Sequence, residues 1–257
     1  MTHDSSHPTP AGCEDCRNVS NLGFDFAMAF QPIVQVSTRT VFAHEALVRG
    51  LGGEGAVTVL SQVTDKNRYS FDQTCRVKAI EQASGLGMTS MLSINFLPNA
   101  VYRAEACIQL TLATAKKFAF PAEQIMFEVT ESEQSSDLAH LKSIFRDYEK
   151  RGFTTAIDDF GAGYAGFDFL VEFVPHIIKI DMALLRGIDA HRERQIVVSG
   201  IVRICDELGV RVLAEGVETR AEFDFLRSLG IDLFQGYLLA KPAFRALPAV
   251  DWAAIGL

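Results

Sequence analysis

Short apolar runs alternate with longer helical stretches along most of the chain. We identify eight strand candidates, each rich in apolar residues and bounded by turn residues. They span 26–34, 41–49, 91–97, 125–131, 153–159, 177–181, 211–216 and 232–239. The first two are joined only by a short connection around the segment STRT, which predicts an antiparallel hairpin. The later candidates are separated by helical stretches, which favours parallel pairing through right-handed crossovers.

Glycines and capping residues mark the predicted ends of the helices. Glycine after a last helical turn accepts the left-handed conformation, and four helical stretches end in this way before an apolar strand, in SGLGMTSMLSIN, EKRGFTTAIDDF, DELGVRVLAEG and RSLGIDLFQG. Thr219 and Glu222 predict a capping box, and Ser136 or Asp137 is predicted to cap a further helix. The alternation predicts an α/β fold, a modified TIM-type (β/α)8 barrel with an antiparallel first strand pair. An open doubly wound sheet is the alternative.

Composition indicates a globular protein. The chain has 257 residues, of which 48% are hydrophobic and 22% are charged, and this length suits one barrel domain. We expect residues 1–20 to form a disordered tail and residues 21–257 to form a single domain. Scattered cysteines, no apolar run of membrane-spanning length and no secretory signal indicate a cytoplasmic protein without a membrane partner. The net charge of −8 argues against binding to a nucleic acid polymer.

Polar side chains occur within or just past most of the apolar strand runs. They are Glu45, Asn95, Glu128, Asp158, Asp159, Lys179, Asp181, Glu215 and Gln235. In a barrel the carboxyl ends of the strands converge on the face that holds the active site, where several carboxylates would repel one another unless cations lay among them. Oxygen ligands without His or Cys suit Mg²⁺ or Mn²⁺, and two such ions would activate water beside a phosphoryl group.

Any one of these carboxylates could instead be a helix cap or a surface charge. The adjacent Asp158 and Asp159 are harder to explain in this way, because buried neighbouring charges need partners. Lys179 follows apolar residues in HIIKID and is either an ordinary ion-pair partner or a site residue.

These residues belong to seven motifs that follow one another along the chain. The motifs are HEALVR, SIN, FEVTES, IDDFGAGYAG, IKID, AEGVET and FQGYLLAKP. In this order they resemble the EAL-domain family of cyclic di-GMP phosphodiesterases, over roughly residues 24 to 243. The resemblance implies the modified barrel, two divalent cations (Mg²⁺ or Mn²⁺), and hydrolysis of cyclic di-GMP to linear pGpG in bacterial second-messenger signalling. It also implies a homodimer, for which the apolar segment FDFLVEF (167–173) is a candidate face.

The resemblance further implies a role for each residue. One metal would be held by Glu45, Asn95, Glu128 and Asp158, and a second by Asp158, Asp159 and Glu215. The catalytic residues would be Glu45, Asp159, Lys179 and Glu215, with Lys179 positioning the attacking water and Glu215 also cast as a general base. The substrate would be bound by Gln31, Arg49, Asp181 and Gln235, with Arg49 on a phosphate. Glu131 and Glu218 would support the site, and Glu131 would anchor the loop after Asp159.

The chain departs from the family pattern in that loop and beside Asn95. Ala162, Ala165, Gly166 and Leu97 stand where many members have hydroxyl side chains, but no metal ligand is lost. We therefore favour the enzyme over its alternatives. These are a catalytically silent EAL module that acts as a receptor or docking domain, and a Schiff-base aldolase using Lys179, which nearby carboxylates would disfavour by keeping the amine charged.

The glycines of the loop FGAGYAGF favour a hinge between the metal site and dimer contacts over a simple βα turn. Cys13 and Cys16 form a CxxC near His3 and His7, which could bind zinc or act as a redox switch.

Overall fold

The computed structural model describes residues 22–101, 104–130, 138–162 and 166–257. The strands in these ranges are β1 (Ala27–Gln35), β2 (Thr40–Arg49), β3 (Met91–Asn95), β4 (Ile125–Thr130), β5 (Thr154–Phe160), β6 (Ile177–Ile180), β7 (Arg211–Ala214), β8 (Leu233–Phe234) and β9 (Ala243–Phe244). The α-helices are α1 (Ala56–Leu60), α2 (Arg68–Gly85), α3 (Ala104–Lys117), α4 (Leu138–Lys150), α5 (Gly166–Glu172), α6 (Met182–Leu185), α7 (Arg192–Leu208) and α8 (Arg220–Ser228). Short 3-10 helices span Pro98–Ala100, Ala122–Gln124 and Ala253–Ile255.

The strands form a closed barrel. From β2 to β8 each strand pairs in parallel with the next, and β1 closes the barrel by pairing antiparallel with both β2 and β8. This confirms the modified barrel with an antiparallel first pair, and the open doubly wound sheet was the wrong alternative. A short additional strand, β9, pairs antiparallel with β1.

Side chains inside the barrel form an apolar layer below a polar layer. The apolar layer consists of Ile33, Ala43, Met126, Ala156, Ile177, Leu213 and Leu233. Because strand residues two apart face the same side of a sheet, the residue two positions further along β2 and β4–β8 also faces inward. Those six residues are Glu45, Glu128, Asp158, Lys179, Glu215 and Gln235. Strand β1 runs in the opposite direction, so its polar residue, Gln31, comes two positions before Ile33.

The predicted helix signals are present where the structure describes them. The four junction glycines adopt positive φ, at 66° for Gly87, 87° for Gly152, 71° for Gly209 and 91° for Gly230. Thr219 and Glu222 form both hydrogen bonds of the capping box that starts α8. Ser136 and Asp137 lie outside the described residues, as do the CxxC and residues 1–20, which were predicted to form a tail.

The last predicted strand, 232–239, is shorter than expected. Only Leu233–Phe234 pair in the sheet, because the chain then turns against the loop that follows β7. The Val217 amide donates to the Gln235 carbonyl over 3.1 Å, and the Val217 carbonyl accepts from the Leu238 amide over 3.1 Å. An apolar run does not by itself reveal such a close loop contact. Among the helices in the described part of the chain, none is long and apolar enough to span a bilayer.

Candidate active site

A cavity of about 330 Å³ opens at the carboxyl ends of the barrel strands. Its lining includes residues predicted for the site, namely Gln31, Glu45, Asp158, Asp159, Lys179, Asp181, Glu215, Glu218 and Gln235. The alternation of side chains along each strand explains why these polar residues converge. On most strands one apolar residue faces inward, and the next inward-facing residue, two positions further on, lies at the mouth of the barrel. The cavity is therefore the upper, polar layer of the barrel interior.

Lys179 lies at the centre of this layer, with its side chain only 1% exposed. Its Nζ contacts a carboxylate oxygen from each of four different strands or strand ends. The distances are 2.7 Å to Glu215, 2.8 Å to Glu128, 3.0 Å to Asp158 and 3.8 Å to Glu45. Burial opposes the charged form of Lys179, but these carboxylates outweigh it and hold the pKa of the amine well above its ordinary value.

Among the described residues around Lys179, carboxylates outnumber cations, and this excess contributes to raising the pKa of two of the carboxyls. Burial first, then repulsion from Glu45 and Asp158, raises the pKa of Glu128 to about 8, against the opposing effect of Lys179. Burial and the charge of Asp158 also raise the pKa of Glu215 well above its usual range. Both carboxyls therefore bind a proton more tightly than ordinary glutamates do. The site has a deficit of positive charge.

Two amide side chains hold Glu45 at the mouth, and a third amide contacts one of them. Asn95 Nδ2 donates to Glu45 Oε1 over 3.0 Å, and Gln235 Nε2 donates to Glu45 Oε2 over 2.8 Å. Gln235 Nε2 also lies 3.2 Å from Gln31 Oε1, and Gln31 Nε2 donates to the Ala240 carbonyl over 3.1 Å. Both oxygens of Glu45 are therefore held in place, and the amides link strands β1, β2, β3 and β8 across the mouth.

Within the described part of the chain, two groups of carboxylates have the spacing of a cation site. One oxygen each from Glu45, Glu128 and Asp158 lies within 4.8 Å of the others, and the same holds for Asp158, Asp159 and Glu215. Asp158 belongs to both groups. These are oxygen ligands without sulfur or imidazole, which suits a hard divalent ion.

One buried carboxylate oxygen without a hydrogen-bond partner indicates whether such an ion fits the site. Glu128 Oε1 is buried and has no hydrogen-bond partner among the described residues. A buried acceptor left unpaired is costly, and a cation held with Glu45 and Asp158 would satisfy this oxygen and the missing positive charge together. The donor set therefore fits the predicted metal.

The backbone at Asp159 is strained in a way that serves the site. Asp159 has φ of 54°, a left-handed conformation that non-glycine residues rarely adopt. Its amide donates to Asp158 Oδ1 over 2.9 Å, and burial together with Asp158 and Asp181 raises the pKa of its own carboxyl to about 6. The turn lets two consecutive aspartates reach the same site.

The remaining predicted residues lie at the edge of the cavity or outside it. Asp181 lines the cavity and caps α6, since its Oδ1 accepts from the Ala183 amide over 2.8 Å. Glu218 lines it and pairs with Arg186 over 2.8 Å. Arg49 is the last residue of β2, where its Nη1 donates to the Val48 carbonyl, and it is not among the described residues that line the cavity. Glu131 falls in the segment 131–137, outside the described residues.

Besides Gly216 and Gly236, sequence reasoning missed Met182 and Tyr237 in the described lining of the cavity. Tyr237 is 56% exposed, and the Nζ of Lys241 lies 5.4 Å from its ring centroid. Its position two residues after Gln235 was the available signal. An exposed aromatic ring beside a polar cavity is suited to stacking against a flat ligand group.

The fold and the site together define a barrel protein with an acidic, metal-suited centre at the carboxyl ends of its strands. The chain belongs to the EAL domain family, whose profile matches residues 19–242.

Two curated bacterial relatives are similar over most of this chain. A blue light- and temperature-regulated antirepressor, BluF of Escherichia coli K12, is 33% identical over 87% of this chain and 56% of its own length. A probable cyclic di-GMP phosphodiesterase, PdeD of the same strain, is 33% identical over 86% of this chain and 43% of its own length. The chain thus spans about half the length of these curated relatives.

Two solved structures share the fold closely. The cyclic di-GMP-bound form of a standalone versatile EAL protein from Vibrio cholerae O395 is 51% identical, with a TM-score of 0.88 over 91% of this chain and 99% of that one. The manganese and cyclic di-GMP complex of Klebsiella pneumoniae BlrP1 is 34% identical, with a TM-score of 0.81 over 86% of this chain and 56% of that one. EAL domains similar to this one therefore bind cyclic di-GMP, in one case with manganese.

Proposed function

We propose that this protein is a metal-dependent phosphodiesterase that hydrolyses cyclic di-GMP to linear pGpG. The observation that carries the proposal is the buried cluster of carboxylates around Lys179. These carboxylates outnumber the one positive charge that they contact, and one of their oxygens, Glu128 Oε1, has no hydrogen-bond partner among the described residues. Support comes from relatives named as cyclic di-GMP phosphodiesterases and from the structures with bound cyclic di-GMP.

We infer a pair of divalent cations, Mg²⁺ or Mn²⁺. Glu45, Asn95, Glu128 and Asp158 would hold one, and Asp158, Asp159 and Glu215 the other. Asn95 and Glu45 are already joined by a hydrogen bond of 3.0 Å, so the first group is organised before an ion arrives. When bound, the cations supply an acidified water and charge stabilisation for the phosphoryl oxygens.

The protein's own residues hold the reacting groups. Lys179 keeps its proton because of its carboxylate neighbours, so it donates hydrogen bonds and positive charge and is unsuited to act as an amine nucleophile. The aldolase alternative is disfavoured on this ground. Gln31, Gln235 and Asp181 border the cavity where a nucleotide would lie, and Arg49 at the end of β2 is the proposed phosphate contact. Glu131 and Glu218 are proposed as supports of the site.

A silent receptor or docking module is the second candidate, because one relative is named as an antirepressor. Product formation separates the two. Purified protein with cyclic di-GMP and Mg²⁺ or Mn²⁺ should yield pGpG by chromatography, and excess chelator should stop it. Ligand binding without pGpG in either metal would favour the receptor.

Two ligand variants and a matched control locate the chemistry. Glu45→Gln and Asp158→Asn should each lose turnover by at least about 10²-fold, as expected when a preorganised charge is removed. Glu81→Gln changes an exposed glutamate on α2 and should behave as wild type. Full activity in either ligand variant would contradict the assignment.

We further propose a homodimer that acts in the cytoplasm. Helix α5 exposes Phe167 at 51% and Val171 at 83%, an apolar face suited to a second copy. The thiols of Cys75, Cys107 and Cys205 are free and buried, which fits a reducing compartment. Sedimentation of wild type against Val171→Glu tests the dimer, and a variant that sediments as wild type would contradict this interface.

A further inference from the structure

A buried ion pair lies on the outer side of the barrel, directly behind the proposed metal site. Asp72 and Arg76 are one turn apart on α2, and Arg76 Nη2 lies 2.8 Å from Asp72 Oδ2. Their side chains are 1% and 0% exposed, respectively. Neither residue lines the catalytic cavity, and the chemistry proposed above does not use them.

Arg76 is enclosed by three aromatic rings, those of Phe96 just beyond β3, Phe127 within β4 and Tyr148 on α4. Its Cζ lies 5.5 Å from the ring centroid of Phe96 and 5.0 Å from that of Phe127, and its Nη1 donates to the Tyr148 hydroxyl over 2.9 Å. Phe96 follows Asn95 in the chain, and Phe127 precedes Glu128. Since neighbouring residues of an extended strand face opposite sides, a guanidinium that holds the two rings also holds the two proposed metal ligands.

Asp72 holds the end of β3 through a hydrogen bond with the backbone. Its Oδ1 accepts from the Leu97 amide over 2.9 Å, just beyond the last residue of β3. The intervening Phe96 amide donates to the Glu128 carbonyl over 3.0 Å, and Asn95 pairs with Glu128 in the β3–β4 register. The end of β3 is thus tied to β4 on one side and to α2 on the other.

A buried ion pair is a poor choice if stability is its only role. Removing two charges from water is unfavourable, and well-packed apolar residues of similar volume often replace such a pair without loss of stability. Here the pair contacts the Leu97 amide beyond β3 and the rings of Phe96 and Phe127, in addition to Tyr148 on α4 and Gln73 on α2. The geometry is that of an outer support for metal ligands.

We propose that Asp72 and Arg76 are positioning residues that hold Asn95 opposite Glu128 and thereby strengthen metal binding at that site. The inference rests on the proposed function, because it assumes that these two residues are metal ligands.

The test compares Mn²⁺ affinity, measured by calorimetry, among folded variants. Asp72→Leu with Arg76→Met replaces the pair by apolar side chains and should weaken Mn²⁺ binding at least about tenfold, as changes to outer-shell partners do. Asp72→Asn with Arg76→Met keeps an acceptor for the Leu97 amide and should recover part of that loss. Ser84→Ala removes a hydrogen bond from the same helix to the Phe118 carbonyl, at the end of α2 far from Asp72 in sequence, and should bind Mn²⁺ as wild type does.

A second measurement uses wild-type protein and does not depend on variant folding. If the Leu97 anchor favours metal binding, then metal binding must favour the anchor by the same factor. Saturating Mn²⁺ should therefore slow hydrogen exchange of the Leu97 amide relative to a chelated sample, and more than it slows exchange of the Val210 amide, which donates to the Cys205 carbonyl.

The outcomes separate this inference from the proposed function. The positioning role is overturned if Asp72→Leu with Arg76→Met binds Mn²⁺ with wild-type affinity. It is also overturned if Mn²⁺ does not change the hydrogen-exchange rate of the Leu97 amide. Either result leaves the proposed metal site intact. A wild-type protein that binds no Mn²⁺ overturns the metal site and the positioning role together.

Discussion

Replacing Glu128 by Gln should stabilise the metal-free protein at neutral and alkaline pH, although it removes a proposed metal ligand. Burial, Glu45 and Asp158 raise the pKa of Glu128 to about 8, and Lys179 only partly offsets them. The folded chain therefore retains a proton that the unfolded chain releases near its ordinary value of 4.5. A glutamine of similar shape never has to ionise in this place.

The sign and size of the effect follow from this difference in proton binding. Where the folded state binds more protons than the unfolded state, the free energy of unfolding falls as pH rises. The slope is about 1.4 kcal/mol per pH unit for one proton. Between about pH 5.5 and pH 8, Glu128 should therefore lower the stability of the wild type by about 3 kcal/mol, a contribution that Glu128→Gln lacks.

The assay is urea unfolding in excess chelator, followed by circular dichroism across this pH range. The stability advantage of Glu128→Gln should grow with pH, while Glu81→Gln should track the wild type throughout. Mn²⁺ at 100 times its dissociation constant adds about 2.7 kcal/mol to the form that binds it, so it should reduce the advantage of Glu128→Gln by about that amount. An advantage that does not change with pH, or a variant less stable than wild type without metal, would refute the reasoning.

Three further substitutions test other parts of the structure. Lys179→Met should lower kcat by about 10²-fold or more because the site loses its central donor; near-normal kcat would exclude that role. Gly236→Ala would place a Cβ 2.0 Å from the Val217 carbonyl oxygen, so urea unfolding should show a loss of about 1–3 kcal/mol or more. Thr219→Ala removes the cap of α8 and should cost about 1 kcal/mol with turnover unchanged; a loss of activity would mean that Glu222 and this helix start also shape the cavity.

Much of the fold was predictable because local chemistry repeats along the chain. The four junction glycines and the capping box at Thr219 were identified correctly because each depends on a few neighbouring residues. The antiparallel hairpin followed from the short connection between β1 and β2. The predicted strand 232–239 was wrong in length, because its end depends on contact with Val217, which is distant in sequence.

The candidate site was predictable as a list of residues, and their convergence is what the structure adds. Glu45 and Glu215 are far apart in the chain yet meet around Lys179. Their catalytic and metal-binding roles remain predictions, as do those of Arg49, Asp181 and Glu218. The hinge in the loop after Asp159 and the CxxC also remain predictions, since residues 163–165, Cys13 and Cys16 lie outside the described part of the chain.

By itself the sequence determined the order of strands and helices, the alternation that points one polar side chain per strand into the barrel, and the oxygen-rich chemistry of the centre. These depend on the period of the backbone and on side-chain type, which are local. Only the tertiary structure decided which oxygens share a neighbour, that Glu128 keeps an unpartnered oxygen and a raised pKa, and that Asp72 and Arg76 lie behind Asn95 and Glu128. Those facts depend on distances and burial between residues far apart in sequence, which no local pattern encodes.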